Sequence, residues 1–415
     1  MTKIDPQLVR YLRNPKTIRS QCHALLDVAK DGGALYFAFH EDKLKGAVSY
    51  VLEETRRNYP DGVIPYHSRF RHLEMGGRNR LDLLDEVRSQ NDKKEWGKVL
   101  FEMIFVSVLL DAGAGDQWSF HLKEGPYDEV FGRSEGLALA SLQMFKQGYF
   151  SSSLQEPCRV DKLGLMAINE AKLSKGLQVS ADNPLVGLAG RLALLHGLGR
   201  SLHPAPNGSD TVIRLGDVYD HLYDSAKNGE GGSLSCLAIL DTVLSQFGDI
   251  WPGGQVIGEC NLGDVGVHPL VKGPFGSDSL VPFHKLSQWL TYSLAETFEL
   301  AGLKVLDVEQ LTGLPEYRNG GLLMDLGVLS CKDPSAMQKP HKPRSEFIVE
   351  WRALTVAALD LIADGVRESL GYSEKDLPLA KVLQGGTWSA GRRIAKKLRP
   401  NGGPPITLDS DGTVF

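Results

Sequence analysis

The sequence predicts a mainly α protein, a large helical body with minor β elements. Three observations carry this. Several long segments repeat apolar residues at helical spacing. Strand-like stretches are few. Capping residues, prolines and glycines stand at the ends of a periodic run. The 415 residues suffice for a sizeable core, as one large helical domain over 1–415 or as two tightly packed lobes. The glycine-rich breaks at 229–232, 252–258 and 320–321 and the proline-punctuated polar loop at 332–345 are too short to force a boundary.

The elements follow in chain order. Residues 34–39, Ala-Leu-Tyr-Phe-Ala-Phe, read as a strand. Residues 96–112 carry Val99, Leu100, Met103, Ile104, Val106, Val108, Leu109 and Leu110, apolar nearly all round, so this helix is buried. Amphipathic helices follow at 134–147, 185–200, 234–247 and 346–370. A further helix covers 281–301, with Asp278 or Ser279 as its cap, Pro282 in its first turn and Gly302 as its stop. Residues 406–408 and 413–415 flank Asp409-Ser410-Asp411-Gly412 and read as a small hairpin.

Composition narrows the function classes. The chain is 42% hydrophobic and 23% charged, as in ordinary globular proteins, and its net charge of -5 disfavours nucleic acid as a partner. It has no apolar run of about 18 residues, the least a membrane-spanning helix needs. Cys22, Cys158, Cys236, Cys260 and Cys331 are odd in number and show no CxxC spacing, which predicts free thiols in a reducing compartment. Met1 leads into Thr-Lys-Ile-Asp-Pro without an apolar leader, so the expected location is cytoplasmic, and also nuclear in a eukaryote. No GxSxG, HExxH, GxGxxG or Walker signature occurs, and no metal or organic cofactor is expected.

Three stretches carry chemistry. On the 281–301 helix, Phe283, Leu286, Leu290, Leu294 and Ala301 form a core stripe. Lys285, Gln288, Trp289 and Tyr292 lie beside it; they line a pocket, or Lys285 is solvated and the aromatics pack. Glu316-Tyr317-Arg318 stands before an apolar run at 322–329. There Glu316 faces a ligand or serves the helix dipole. Residues 64–80 hold four arginines and two histidines, among them His67, Arg69 and Arg71. Arginine forks suit phosphate or carboxylate, although a solvated basic face is the alternative. Trp118 follows a glycine turn at 113–115, where it stacks on a flat group or packs.

Taken together, residues 64–80, 113–118, 133–138, 250–252 and 311–329 resemble the family of the fourth uracil-catabolism protein of fungi, over nearly the whole chain. The resemblance implies work on a uracil-derived nucleoside or nucleotide that ends in urea. A more distant likeness joins Lys285-Leu286-Ser287-Gln288, Leu311-Thr312, Glu316-Tyr317-Arg318 and residues 326–329 to the queuosine salvage proteins. Phe39, in Phe37-Ala38-Phe39, is similar to an aromatic segment of the same proteins. Those are all-α N-ribosyl hydrolases related in fold to helix-hairpin-helix glycosylases. The likeness implies catalysis by Glu316 and Lys285. It also implies substrate contacts from Tyr317, Arg318, Gln288 and Phe39. To these the sequence adds His67, Arg69, Arg71 and Trp118.

The relatives carry an Asp where this chain has Ser293, so the carboxylate role passes to Glu316. Asp42, Glu74, Asp241, Asp264 and Asp325 stay open as a second acid. The implied reaction is cleavage of the C1′–N bond of a ribosylurea or its 5′-phosphate. A non-catalytic partner of a uracil-pathway enzyme, a hydrolase of another pyrimidine-derived nucleotide and a nucleic-acid glycosylase are the rival readings.

Overall fold

The computed structural model describes residues 4–204, 212–251 and 254–409. Its helices are α1 (Pro6–Arg13), α2 (Pro15–Lys30), α3 (Leu44–Asn58), α4 (Asp85–Ser89), α5 (Lys93–Leu110), α6 (Arg133–Lys146), α7 (Lys162–Met166), α8 (Glu170–Gly176), α9 (Leu188–Ser201), α10 (Gly216–Asn228), α11 (Cys236–Phe247), α12 (Lys285–Leu300), α13 (Tyr317–Asp325), α14 (Glu346–Leu370), α15 (Leu379–Val382) and α16 (Trp388–Leu398). The strands pair only two by two. β1 (Phe37–Phe39) runs antiparallel to β10 (Leu329–Cys331), and β2 (Ser119–Glu124) to β3 (Tyr127–Gly132). β4 (Ser233–Ser235) is parallel to β9 (Lys304–Leu306). β5 (Val256–Ile257) pairs with β6 (Cys260–Asn261), and β7 (Val265–Val267) with β8 (Leu280–Pro282). The fold is mainly α, as predicted.

The all-round apolar segment becomes α5, enclosed by α6, α9, α10 and α12. The long helix α14 packs on α2, α3 and α13. Gly302, at φ 87°, ends α12, and Gly371, at φ 72°, ends α14; both adopt the left-handed conformation that glycine tolerates. The five cysteines are free thiols. Among the described residues no helix is long and apolar enough to cross a membrane.

Four expectations change. The 281–301 helix starts only at Lys285, because residues 280–282 are drawn into β8. Its cap is neither Asp278 nor Ser279; the Asp264 carboxylate accepts the Lys285 N–H at 3.0 Å. The strand at 34–39 shrinks to β1, since the N–H groups of Leu35 and Tyr36 are spent on the Glu350 carboxylate. Residues 233–235 form β4, and Ser235 Oγ caps α11 by accepting from Leu237 N. Of the C-terminal hairpin, residues 410–415 lie outside the described residues; Thr407 O accepts the His341 N–H at 2.9 Å.

Candidate functional site

The buried helix α12 presents two polar faces to different surroundings. Lys285, Trp289, Ser293 and Glu296 recur at helical spacing and share one face. Gln288 and Tyr292, both wholly buried, point elsewhere. Gln288 donates to Phe283 O (3.0 Å) and Thr312 Oγ1 (2.7 Å) and accepts from Thr312 N (2.8 Å). Tyr292 donates its hydroxyl to Thr312 O. These two side chains thus fasten α12 to the chain before α13.

Against the first face lies a short 3₁₀ turn, Arg69–His72. Arg69 is wholly buried. Its N–H donates to Ser293 Oγ (3.0 Å), and its guanidinium to Ser107 Oγ (2.8 Å) and Ser134 O (3.1 Å). It also pairs with Asp111 at 3.0 Å. Arg71 pairs with Glu296 at 2.7 Å and Glu74 at 3.2 Å. The Ser68 hydroxyl donates to Glu296 as well. Burial pushes the Glu296 carboxyl up to about 7, although Arg71 and Ser68 oppose the shift. The histidines are held neutral by the same cause: burial lowers His67, and lowers His72 to about 3. His67 Nδ1 lies 3.0 Å from Gln384 Oε1.

Asp111 ends α5. A carboxylate at a helix C-terminus opposes the helix dipole. Arg191 offsets this by donating to Leu110 O (2.9 Å), the last carbonyl of α5, and to Ala112 O (3.0 Å) and Gly113 O (3.3 Å) just beyond it. One Asp111 oxygen meets Arg69; the other, Oδ1, is buried with no hydrogen-bond partner among the described residues.

The third wall is the start of α13. Glu316 is its N-cap and accepts from Arg318 N and Asn319 N, both at 2.6 Å. Burial raises the Glu316 carboxyl, against the pull of those two N–H groups and of the nearby Lys285 charge. Burial likewise lowers the Lys285 ammonium, with Glu316, Asp264 and Asp111 pulling it back up. The Arg318 guanidinium lies 5.3 Å from the Tyr317 ring centre and donates to Gly402 O at 3.1 Å. Behind Lys285, Arg352 grips both Asp264 oxygens at 2.8 and 2.7 Å, holding that carboxyl far below its usual range despite burial.

The structure therefore brings Lys285, Glu316, Tyr317 and Arg318 together, with Arg69 and Arg71 on the adjoining turn and His67 just before it. It places three expected contacts elsewhere. Gln288 is consumed by Thr312. Trp118 is a core residue whose Nε1–H donates to Leu177 O at 2.9 Å. Phe39 faces Leu329, beyond the far end of α13 from Glu316. Arg78 and Arg80 hold Glu129 of β3, at 3.1 and 2.8 Å. Of the open second acids, only Asp264 adjoins Lys285; Asp325 is clamped by Arg399, Glu74 pairs with Arg71, and Asp42 and Asp241 are exposed. Sequence reasoning missed Asp111 and Glu296. An acid placed directly after the largely apolar stretch 103–110 was the available signal for Asp111.

The model of the family described as "Protein of unknown function (DUF1688)" matches residues 11–415. The chain belongs to this family. Protein urg3 of Schizosaccharomyces pombe is 38% identical over 99% of this chain and the whole of its own length. Uracil catabolism protein 4 of Lachancea kluyveri is 35% identical, with both chains wholly covered. Both matches run along nearly all of either chain, so the residues of the candidate site all fall within the shared region.

Proposed function

We propose that this chain is an N-ribosyl hydrolase of uracil breakdown that cleaves the C1′–N bond of ribosylurea, carried as its 5′-phosphate, to urea and ribose phosphate. The observation that carries the reading is half-buried Lys285 standing beside Glu316, the N-cap of α13, near enough for each charge to act on the other, with desolvation lowering the ammonium and raising the carboxyl. The name of the yeast relative supports the pathway. The likeness of Lys285-x-x-Gln288 and Glu316-Tyr317-Arg318 to queuosine salvage proteins supports the bond.

Cleavage develops positive charge at C1′. Glu316 offsets that charge and takes a proton from the attacking water, a task its raised basicity suits. The departing urea nitrogen takes a proton from Lys285, which burial makes a readier donor. Water adds its oxygen to C1′, and the products are urea and the free sugar phosphate. Arg318 and Arg71 are the guanidinium groups offered to the phosphate.

The test is urea release from ribosylurea 5′-phosphate, with ribosylurea and uridine monophosphate as comparisons. Glu316→Gln is expected to lower kcat by roughly 100-fold or more, the range of acid–base catalysis. The kcat profile is expected to be a bell. Its acid limb lies above the usual glutamate range, because Glu316 must lose its proton. Its alkaline limb lies below the usual lysine range, because Lys285 must keep one. Lys285→Met is expected to remove the alkaline limb. Full turnover by Glu316→Gln would sink its catalytic role, and absence of urea from wild type would favour a non-catalytic partner.

A further inference from the structure

Around the Arg69 guanidinium, Arg69 Nη2, His72 Nδ1, Asp111 Oδ1 and Trp289 Nε1 are buried without a hydrogen-bond partner among the described residues. The groups are close. The Arg69 guanidinium carbon is 6.0 Å from the Trp289 ring centre, and the His72 ring centre is 6.2 Å from it, edge-on. Arg69 joins Asp111 at 3.0 Å. The Arg69 and Asp111 side chains and Trp289 are 0%, 9% and 8% exposed. Buried polar groups are nearly always partnered, by protein, ordered water or a ligand, so a cluster of unpartnered ones calls for an occupant.

Their chemistry defines the occupant. Trp289 Nε1–H and Arg69 Nη2–H only donate, and ionised Asp111 Oδ1 only accepts. A carbonyl flanked by N–H groups answers all three. A phosphate answers the donors but meets the Asp111 carboxylate with like charge. We infer that these groups surround a recess that seats the ureido end of the ligand, its C=O accepting from Trp289 and Arg69 and its N–H donating to Asp111. The identity of that ligand rests on the ribosylurea reading; the donor–acceptor pattern of the unpartnered groups does not. Trp289 lies one helical turn, about 6 Å of rise, from Lys285. A ureido group in the recess would therefore direct its substituted nitrogen toward Lys285 and Glu316.

Calorimetric titration tests this, with ribosylurea 5′-phosphate and ribose 5-phosphate as separate probes. The parent is Glu316→Gln, chosen to slow turnover below the time of a titration; Asp111→Asn and Trp289→Phe are added to it singly. Trp289→Phe keeps a ring and loses only the indole N–H, so it remains informative if Asp111→Asn folds poorly. Each variant is expected to bind ribosylurea 5′-phosphate roughly tenfold or more weaker, since the site's polar groups lose their match. Affinity for ribose 5-phosphate is expected to stay within twofold of the parent. Unchanged affinity for both probes, or an equal loss for both, would overturn the recess assignment while leaving hydrolysis by wild type intact. If wild type neither binds nor cleaves ribosylurea 5′-phosphate, the ribosylurea reading falls, and the ureido assignment with it.

Discussion

Asp111 and Gln288 show how little the type of a polar residue says about its task. Both are buried beside α12 and both carry an oxygen acceptor. Gln288 has spent its amide on Phe283 O, Thr312 Oγ1 and Thr312 N. Asp111 has spent one oxygen on Arg69 and retains the other. Gln288→Leu should therefore cost stability, roughly 1–3 kcal/mol for each Thr312 group left unpaired. The measurement is the urea midpoint of unfolding, and the variant's folded fraction should keep the wild-type KM. A raised KM at unchanged stability would return Gln288 to the substrate. The sequence made Glu316, Lys285 and Arg318 legible because unlike side chains were crowded into short stretches. It hid Asp111, whose partner Arg69 is 42 positions earlier in the chain (111 minus 69) and whose orphaned oxygen exists only in three dimensions.

At the scale of elements, periodic helices were readable and their beginnings were not. The body of α12 follows from its apolar spacing. Its start depends on Asp264, 21 residues upstream, and on β8 drawing Pro282 into a strand pair. No local signal carries such a cap. The contact between α13 and α16 is equally non-local and depends on one missing methyl. A Cβ at Gly391 would lie 2.7 Å from Arg318 O, a backbone atom in the first turn of the helix that Glu316 caps. Gly391→Ala should then push the two helices apart, costing about 1–3 kcal/mol as overpacking does. It should also lower kcat/KM, because Tyr317 and Arg318 move with that turn. Gly46→Ala is the control. It lies in α3 with nothing within 4 Å of an added Cβ, and should stabilise by up to about 1 kcal/mol. Thermal melts with urea-release kinetics separate the cases; a harmless Gly391→Ala would show that α16 yields freely.

Across the whole molecule, a few buried charges join segments that hydrophobic patterning brings near but cannot register. Glu350, wholly buried on α14, is the clearest. It accepts from Leu35 N (2.9 Å), Tyr36 N (2.7 Å) and Phe37 N (2.8 Å), and lies 2.9 Å from His268 Nε2. One carboxylate thereby ties the entry to β1, the chain after β7 and the longest helix. The mainly α class did not require it, since apolar spacing alone predicts α14 and a strand near residue 37. The union of the two does require it. Removing one partner of a buried charged network costs about 3–5 kcal/mol, so Glu350→Gln should lose that much at pH 7. The pH dependence has a definite sign. The His268 side chain and the three N–H groups hold the folded carboxyl below its usual value despite burial. Its stabilisation is therefore fully present above the unfolded value of about 4.3 and is lost as pH falls through the lower folded value. The gap in unfolding midpoint between wild type and Glu350→Gln should be widest at pH 7 and close progressively below about pH 4, as the wild-type carboxylate takes up its proton. Urea titrations at pH 7 and pH 3.5 measure it. A gap that stayed constant would mean that the shape of the side chain, rather than its charge, holds these segments together.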